Sequence, residues 1–293
     1  MLISTSLAHG MGIGGITSQE AAQMMRTAGF DGIDLSMDYN YESGIRPSDE
    51  KWTADIIAQA EAAKAAGLQI CQSHMPSYPG HIDSPGNGDF CEFEALLLPD
   101  YERAIEANAK VGCKIAVMHP FFTLDSTKGS INGNITILTK LLPLMEKYGV
   151  AVALENVFAR RYSLHVDCAA QHAEVIAEII ERMNTPLVGA CIDTGHANIF
   201  KYDVCQMARL YGKKLLALHV NANAGLDEHI LPYTYSQWCV GIDFHKFSAT
   251  LKEIGFTGAY NLEVASGKLP PQAALPFYQY AAAIARGLAD EAE

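Results

Sequence analysis

Short runs of β-branched and aliphatic residues alternate along this chain with longer Ala-, Glu- and Lys-rich stretches whose apolar positions recur at helical spacing. The short runs predict strands near 2–7, 31–36, 68–74, 114–119, 150–155, 188–193, 215–220 and 259–264. The longer stretches predict helices near 18–28, 49–66, 92–111, 133–148, 169–183, 203–211, 244–254 and 272–288. Strands that alternate with helices in this way form a parallel sheet with crossover helices. In AGFDGIDL, AAGLQICQS, VGCKIAVM, YGVAVALE and IGFTGAYNLE a glycine stands between helix and strand, where it ends a helix at low steric cost. No linker, charge block or low-complexity segment divides the eight units, so the expected fold is an α/β (β/α)₈ TIM barrel in a single domain over residues 1–293. An open doubly wound sheet would use the same elements. Its nucleotide-binding form needs GxGxxG after the first strand, and GMGIGG lacks that spacing.

The chain has 293 residues, 49% of them hydrophobic and 18% charged, enough to bury a large core. A formal net charge of -12 makes a polyanion such as DNA a poor partner and favours a small molecule. The start, MLISTSLAHGMGIGG, has no basic segment followed by a long apolar run, and no stretch is apolar for the length of a membrane span, so a cytoplasmic location is expected. The seven cysteines form no CxxC pair and read as reduced, several of them in the core. The irregular stretches at 77–90 and 223–241 follow strand ends, where βα loops build the mouth of a barrel. Tyr78, Tyr233, Tyr235 and Trp238 in them are candidate pocket walls, with Trp238 assigned to the substrate.

Metal-type side chains fall where the predicted strands end: His74, His119, Glu155, Asp193, His196, His219 and Glu263, followed in a loop by Asp227 and His229. A barrel projects strand ends toward one opening, and unpaired carboxylates buried there would be costly. Imidazole and carboxylate are the ligand set for a divalent ion such as zinc, manganese, iron or cobalt. Glu155, Asp193, His219 and Glu263 form the expected core of the site. His74 and His119 are further ligands or hydrogen-bond donors to a substrate hydroxyl. His196 lies one helical turn beyond Asp193, and Asp227 and His229 alternate about Glu228, so these three form either a further metal site or the surroundings of the first.

The ordered set LEN, DTGH, HVN, DEH and LEV, with SHMP and MHP upstream, resembles the xylose-isomerase-like barrel superfamily over almost the whole chain. That superfamily holds sugar and sugar-phosphate isomerases and epimerases together with the endonuclease IV type of apurinic endonuclease. In the ketose 3-epimerase branch, the residues matching Glu155, Asp193, His219 and Glu263 hold one divalent metal, and the glutamates exchange the substrate proton. In the endonuclease branch, the residues matching all nine positions hold three zinc ions, with Glu155 bridging two. The chain departs from both. A second glutamate of the 3-epimerases is replaced by Arg161 and an arginine by Gly225, while HVNANAG and DEHILPYTYSQWCVGIDF lack the endonuclease continuations.

The resemblance and the residues together lead to the expectation of a metal-dependent isomerase or epimerase of a sugar or sugar phosphate. In that reading the ion polarises a carbonyl, and Glu155 and Glu263 move a proton through an enediolate. His196 holds a sugar oxygen, and Arg160 and Arg161 bind a phosphate or carboxylate on the substrate. The alternative is a zinc phosphoesterase with up to three ions. Relatives of this kind are often dimers or tetramers, so the resemblance also implies a homo-oligomer.

Overall fold

The computed structural model describes residues 1–12, 16–37, 49–77, 90–161, 164–234, 241–266 and 269–293, without the side chains of Glu92, Arg160 and Arg161. Eight parallel strands form the barrel: β1 (Ile3–Ser6), β2 (Gly32–Ser36), β3 (Gln69–His74), β4 (Ile115–Met118), β5 (Ala151–Glu155), β8 (Val188–Asp193), β9 (Leu215–His219) and β10 (Tyr260–Leu262). Around the ring they run β10-β1-β2-β3-β4-β5-β8-β9. The parallel bridge Val220↔Leu262 joins the last to the first and closes the barrel. All eight strands fall within the segments expected from the hydrophobic runs.

Helices α2 (Ser18–Ala28), α3 (Glu50–Ala65), α4 (Phe90–Val111), α5 (Thr127–Tyr148), α6 (Ala173–Met183), α8 (Val204–Tyr211), α9 (Phe244–Ile254) and α10 (Pro271–Glu291) surround it. A short α1 (Leu7–Met11) follows β1, and α7 (Thr194–Ile199) follows β8. The five glycines read as helix ends all adopt the left-handed backbone, with φ between 63° at Gly149 and 108° at Gly29. Asn184, at φ 46°, does the same after α6.

Three local expectations are corrected. Helix α5 starts at Thr127 rather than 133, because Ser126 caps it by accepting the Gly129 N–H at 2.9 Å and Gly133 packs flat beneath Phe121. The segment expected as one helix over 169–183 is a 3₁₀ turn, Ala169–Gln171, broken by the extended His172 before α6 begins. Arg160 and Arg161, outside the expected strands and helices, lie in β6 (Ala159–Arg161), which pairs antiparallel with β7 (Leu164–Val166).

Packing divides the molecule into two layers. The larger apolar core lies between strands and helices, with Phe30, Tyr101, Tyr260 and Tyr278 among its largest fully buried side chains. Inside the barrel a small apolar cluster of Val117, Ala153, Cys191 and Ala217 gives way to buried polar residues, Ser4, Asp34, Gln72 and Asn261. Burying polar groups is tolerated where they bond to one another. Here Ser4 Oγ donates to Asn261 Oδ1 at 2.8 Å, and Gln72 Nε2 donates to Asp34 Oδ2 at 2.8 Å. No helix among the described residues is long and apolar enough to cross a membrane.

Candidate active site

Register brings the C-terminal ends of the strands level: Asp193 pairs with His219, Glu155 with Cys191, and Leu262, just before Glu263, with Val220. The nine residues selected as ligands consequently meet at one end of the barrel. They form three groups, Glu155–Asp193–His219–Glu263, His74–His119–Glu155 and His196–Asp227–His229, whose ligand atoms lie within 4.8 Å of one another in each group. Glu155 links two of them. Its Oε1 lies 3.0 Å from His219 Nδ1, while its Oε2 lies 3.3 Å from His119 Nε2 and 3.5 Å from His74 Nε2.

Local bonding holds each side chain in place. Asn156 donates from Nδ2 to the Asp193 carbonyl at 2.9 Å and accepts the Asp193 N–H at 2.8 Å, stitching the end of β5 to that of β8. Asp193 then caps α7 by accepting the His196 N–H at 2.6 Å, and Asn221 Nδ2 donates to its other oxygen at 2.8 Å. Beyond β9, paired backbone bonds between Ala222 and Ile230 fold the DEH triplet back over the site. Asp227 Oδ1 thus comes within 3.0 Å of His229 Nε2 and 3.7 Å of His196 Nε2, the common orientation expected from their alternation.

Four histidines have one ring nitrogen bonded outward and the other turned inward. Nδ1 of His74 reaches the Met75 carbonyl at 2.9 Å, that of His196 the Asn156 carbonyl at 2.9 Å, and that of His229 the Glu263 carbonyl at 3.1 Å. His219 is reversed, with Nε2 at 3.1 Å from Asp34 Oδ2. An outward N–H leaves a lone pair on the inward nitrogen, as in histidine that ligates metal. Among the ligand-type carboxylates, two buried oxygens, Glu155 Oε2 and Glu263 Oε2, have no hydrogen-bond partner among the described residues. A cation between them would relieve that cost, so the donor set fits a divalent ion.

The electrostatics agree. Burial opposes ionisation of Glu155, but His219 and His119 outweigh it and hold the carboxyl well below the ordinary range. Glu263 goes the other way: burial raises it beyond what His219 and His229 recover, and Glu155 and Asp193 add repulsion. His196 is buried, yet Asp193 and the hydrogen bond to Asp227 raise it to about 10. His229 is raised to about 9 against burial, by Glu263 and by Asp227.

Beside these groups lies a cavity of about 260 Å³ whose apolar lining is Phe93, Leu97, Tyr101, Pro120, Phe122, Val157 and Phe158. An apolar wall facing convergent polar groups is the usual form of a small-molecule site. Those walls come from α4 and the loops after β4 and β5, and the sequence did not single them out. Tyr233 instead packs its ring against Phe244 and His245 at the start of α9 and is 47% exposed. Tyr78, Tyr235 and Trp238 lie outside the described residues, as do the side chains of Arg160 and Arg161. Two polar residues also escaped notice. His9, on the cavity wall, is lowered to about 4 by burial and then by His229, and Asp34 lies beneath His219.

The xylose isomerase-like TIM barrel family matches residues 22–282 of the chain. The chain belongs to that family. Among curated proteins, the inosose isomerase of Bacillus subtilis is 25% identical over 174 residues, covering 57% of this chain and 60% of that protein. An inosose isomerase of Bacillus licheniformis is 23% identical over 57% of this chain and 60% of its own length. The chain thus spans about three fifths of these curated relatives. Among solved structures, an L-ribulose 3-epimerase superposes with a TM-score of 0.73 at 18% identity, over 99% of this chain and 95% of that one. A D-tagatose 3-epimerase-like protein gives 0.72 at 17% identity, over 99% of each chain. At such identities these structures show the shared barrel.

Proposed function

We propose that this family member is a divalent-metal-dependent isomerase or epimerase of a sugar or related polyol, working by proton transfer next to a carbonyl. The observation that carries the reading is the convergence of Glu155, Asp193, His219 and Glu263 on one point beside a small, half-apolar cavity. The curated relatives support the reaction class, since their names are those of inosose isomerases.

An ion held by those four residues would supply Lewis-acid polarisation of the substrate carbonyl. The chain's own residues do the rest. Glu155 and Glu263 enter from β5 and from the end of β10, three strands apart around the ring, and so approach a bound sugar from different walls. A carboxylate oxygen of one removes the proton from the carbon beside the carbonyl. The other glutamate returns a proton to the opposite face, which inverts that carbon; delivery to the neighbouring carbon, with a proton moved between the two oxygens, isomerises instead. His196, tied through Nδ1 to the Asn156 carbonyl, turns Nε2 toward Asp227 at the cavity, where a substrate oxygen would compete for it. Arg160, Arg161 and Trp238 remain proposed substrate contacts, the arginines for a phosphate or carboxylate.

The test is incubation of the metal-loaded protein in heavy water with a panel of ketoses, inososes and sugar phosphates. Deuterium on carbon in recovered sugar is the expected result. No label from any of them, together with phosphate release from an ester, would overturn the reading. A second reading, phosphate-ester hydrolysis with up to three zinc ions, is favoured by one observation: the two oxygens of Glu155 face two different groups of ligands.

A further inference from the structure

Asp34 is 3% exposed, in the interior of the barrel below the site, and its Oδ2 is a point of convergence. It lies 2.8 Å from Gln72 Nε2 of β3, 3.2 Å from Asn261 Nδ2 of β10 and 3.1 Å from His219 Nε2 of β9. Asn261 is itself oriented, because its Oδ1 accepts from Ser4 Oγ of β1 at 2.8 Å. Residues of β1, β3, β9 and β10 therefore fix one carboxylate carried by β2, and the only group of the metal-type cluster that it reaches by hydrogen bond among the described residues is His219. A carboxylate buried in the barrel interior is costly unless its partners compensate. Two amide donors anchor it, and the third bond is directed at a ligand.

The direction of that bond sets the chemistry. His74, His196 and His229 give Nδ1 to backbone carbonyls and turn Nε2 inward, whereas His219 gives Nε2 to Asp34 and turns Nδ1 to Glu155 Oε1 at 3.0 Å and Glu263 Oε2 at 3.3 Å. We propose that Asp34 is a positioning residue that commits His219 to bind the site's cation through Nδ1. The inference rests on the metal reading of Glu155, Asp193, His219 and Glu263 and deepens it. Rotation of the His219 ring would break its bond to the carboxylate, so the ligand is held in its productive orientation before the ion arrives.

Cobalt binding and nitrogen-15 spectroscopy test this without reference to turnover. In zinc-loaded wild-type protein the His219 ring is expected to show a protonated Nε2 and a metal-bound Nδ1. Asp34→Asn, which keeps the side-chain volume, is expected to weaken cobalt binding about 10- to 100-fold and to alter the visible cobalt absorption. Coordination of His219 through Nε2 in the wild type overturns the proposal, and that measurement stands even where Asp34→Asn fails to fold. A folded Asp34→Asn with wild-type cobalt affinity and spectrum overturns it too, while leaving the metal reading intact. Absence of cobalt binding by the wild type defeats both.

Discussion

At the scale of single residues, Glu155 and Glu263 differ in what surrounds them. The first is held ionised by His219 and His119 despite burial; the second is pushed up by burial and by neighbouring carboxylates. Pairs of acids whose surroundings separate them are suited to taking and giving a proton. Glu155→Gln and Glu263→Gln are each expected to lower solvent-deuterium exchange into a ketose by about 10²–10⁴-fold, measured by mass spectrometry of recovered sugar. Exchange at the wild-type rate in either variant would remove that glutamate from the chemistry. Asp227 supports a separate prediction for the metal-free chain. Burial works against its charge, but hydrogen bonds from His196 and His229 hold its carboxyl below the ordinary value of 3.8. The partners His196 and His229 are raised from 6.5 to about 10 and about 9. The stability these histidines contribute is full below pH 6.5 and lost as pH rises through about 9 to 10. The contribution of Asp227 is full above pH 3.8 and lost as pH falls below it. Asp227→Asn is therefore expected to destabilise the metal-free protein most between about pH 4 and 6.5 and least above pH 10, in urea unfolding across that range. A difference independent of pH would show that the three residues are not an ionic unit.

At the scale of elements, most of the barrel was legible in the sequence because strand and helix periods differ and five helices are followed by a glycine in the left-handed backbone. Seven of the nine ligand-type candidates were legible for the same reason, since the end of a strand is a fixed place in this fold, and Asp227 and His229 by their alternation in the loop that follows. What escaped has a common cause. Asp34 lies in GIDLS, where one acid in a buried strand carries no sign of the amide donors that reach it from β3 and β10. The β6–β7 hairpin and the short α7 are too brief to show a period, and the apolar cavity wall of Phe93, Leu97 and Tyr101 reads as ordinary helix core. Helix α7 invites a test. A side-chain carbon added at Gly195 would press directly into the amide of Asn221, the residue that bonds Asp193. Gly195→Ala must shift either α7, which carries His196, or the Asn221 side chain. The expected outcome is a loss of about 1–3 kcal/mol in denaturant unfolding, accompanied by weaker metal binding. Unchanged metal affinity in a folded variant would show that the cap of α7 and the ligand position of Asp193 are independent.

At the scale of the whole molecule, the number of ions separates the two readings of the mouth. The core four offer a complete set of donors to one ion, and the remaining five then surround a substrate. Three ions would instead require His74 and His119 to act as ligands, and their Nε2 atoms face each other at 3.1 Å. Outward bonding of His74 Nδ1 leaves a lone pair on its Nε2, so either a proton on His119 or a cation must lie between the rings. The proton suffices, and the isomerase reading therefore expects about one tightly held ion per chain. Such an ion would bind only where β5, β8, β9 and β10 come together and would tie folding to metal. At a hundredfold excess over Kd it adds about 2.7 kcal/mol, and chelation is expected to lower Tm by several degrees, with recovery on adding manganese, cobalt or zinc. His119→Ala distinguishes the cases within one experiment. With a single ion at the core four, the variant keeps its metal content and its chelator-sensitive Tm and alters only substrate binding. A wild-type content near three that falls by one in His119→Ala, measured by elemental analysis after mild purification, would shift the reading to a multinuclear hydrolase.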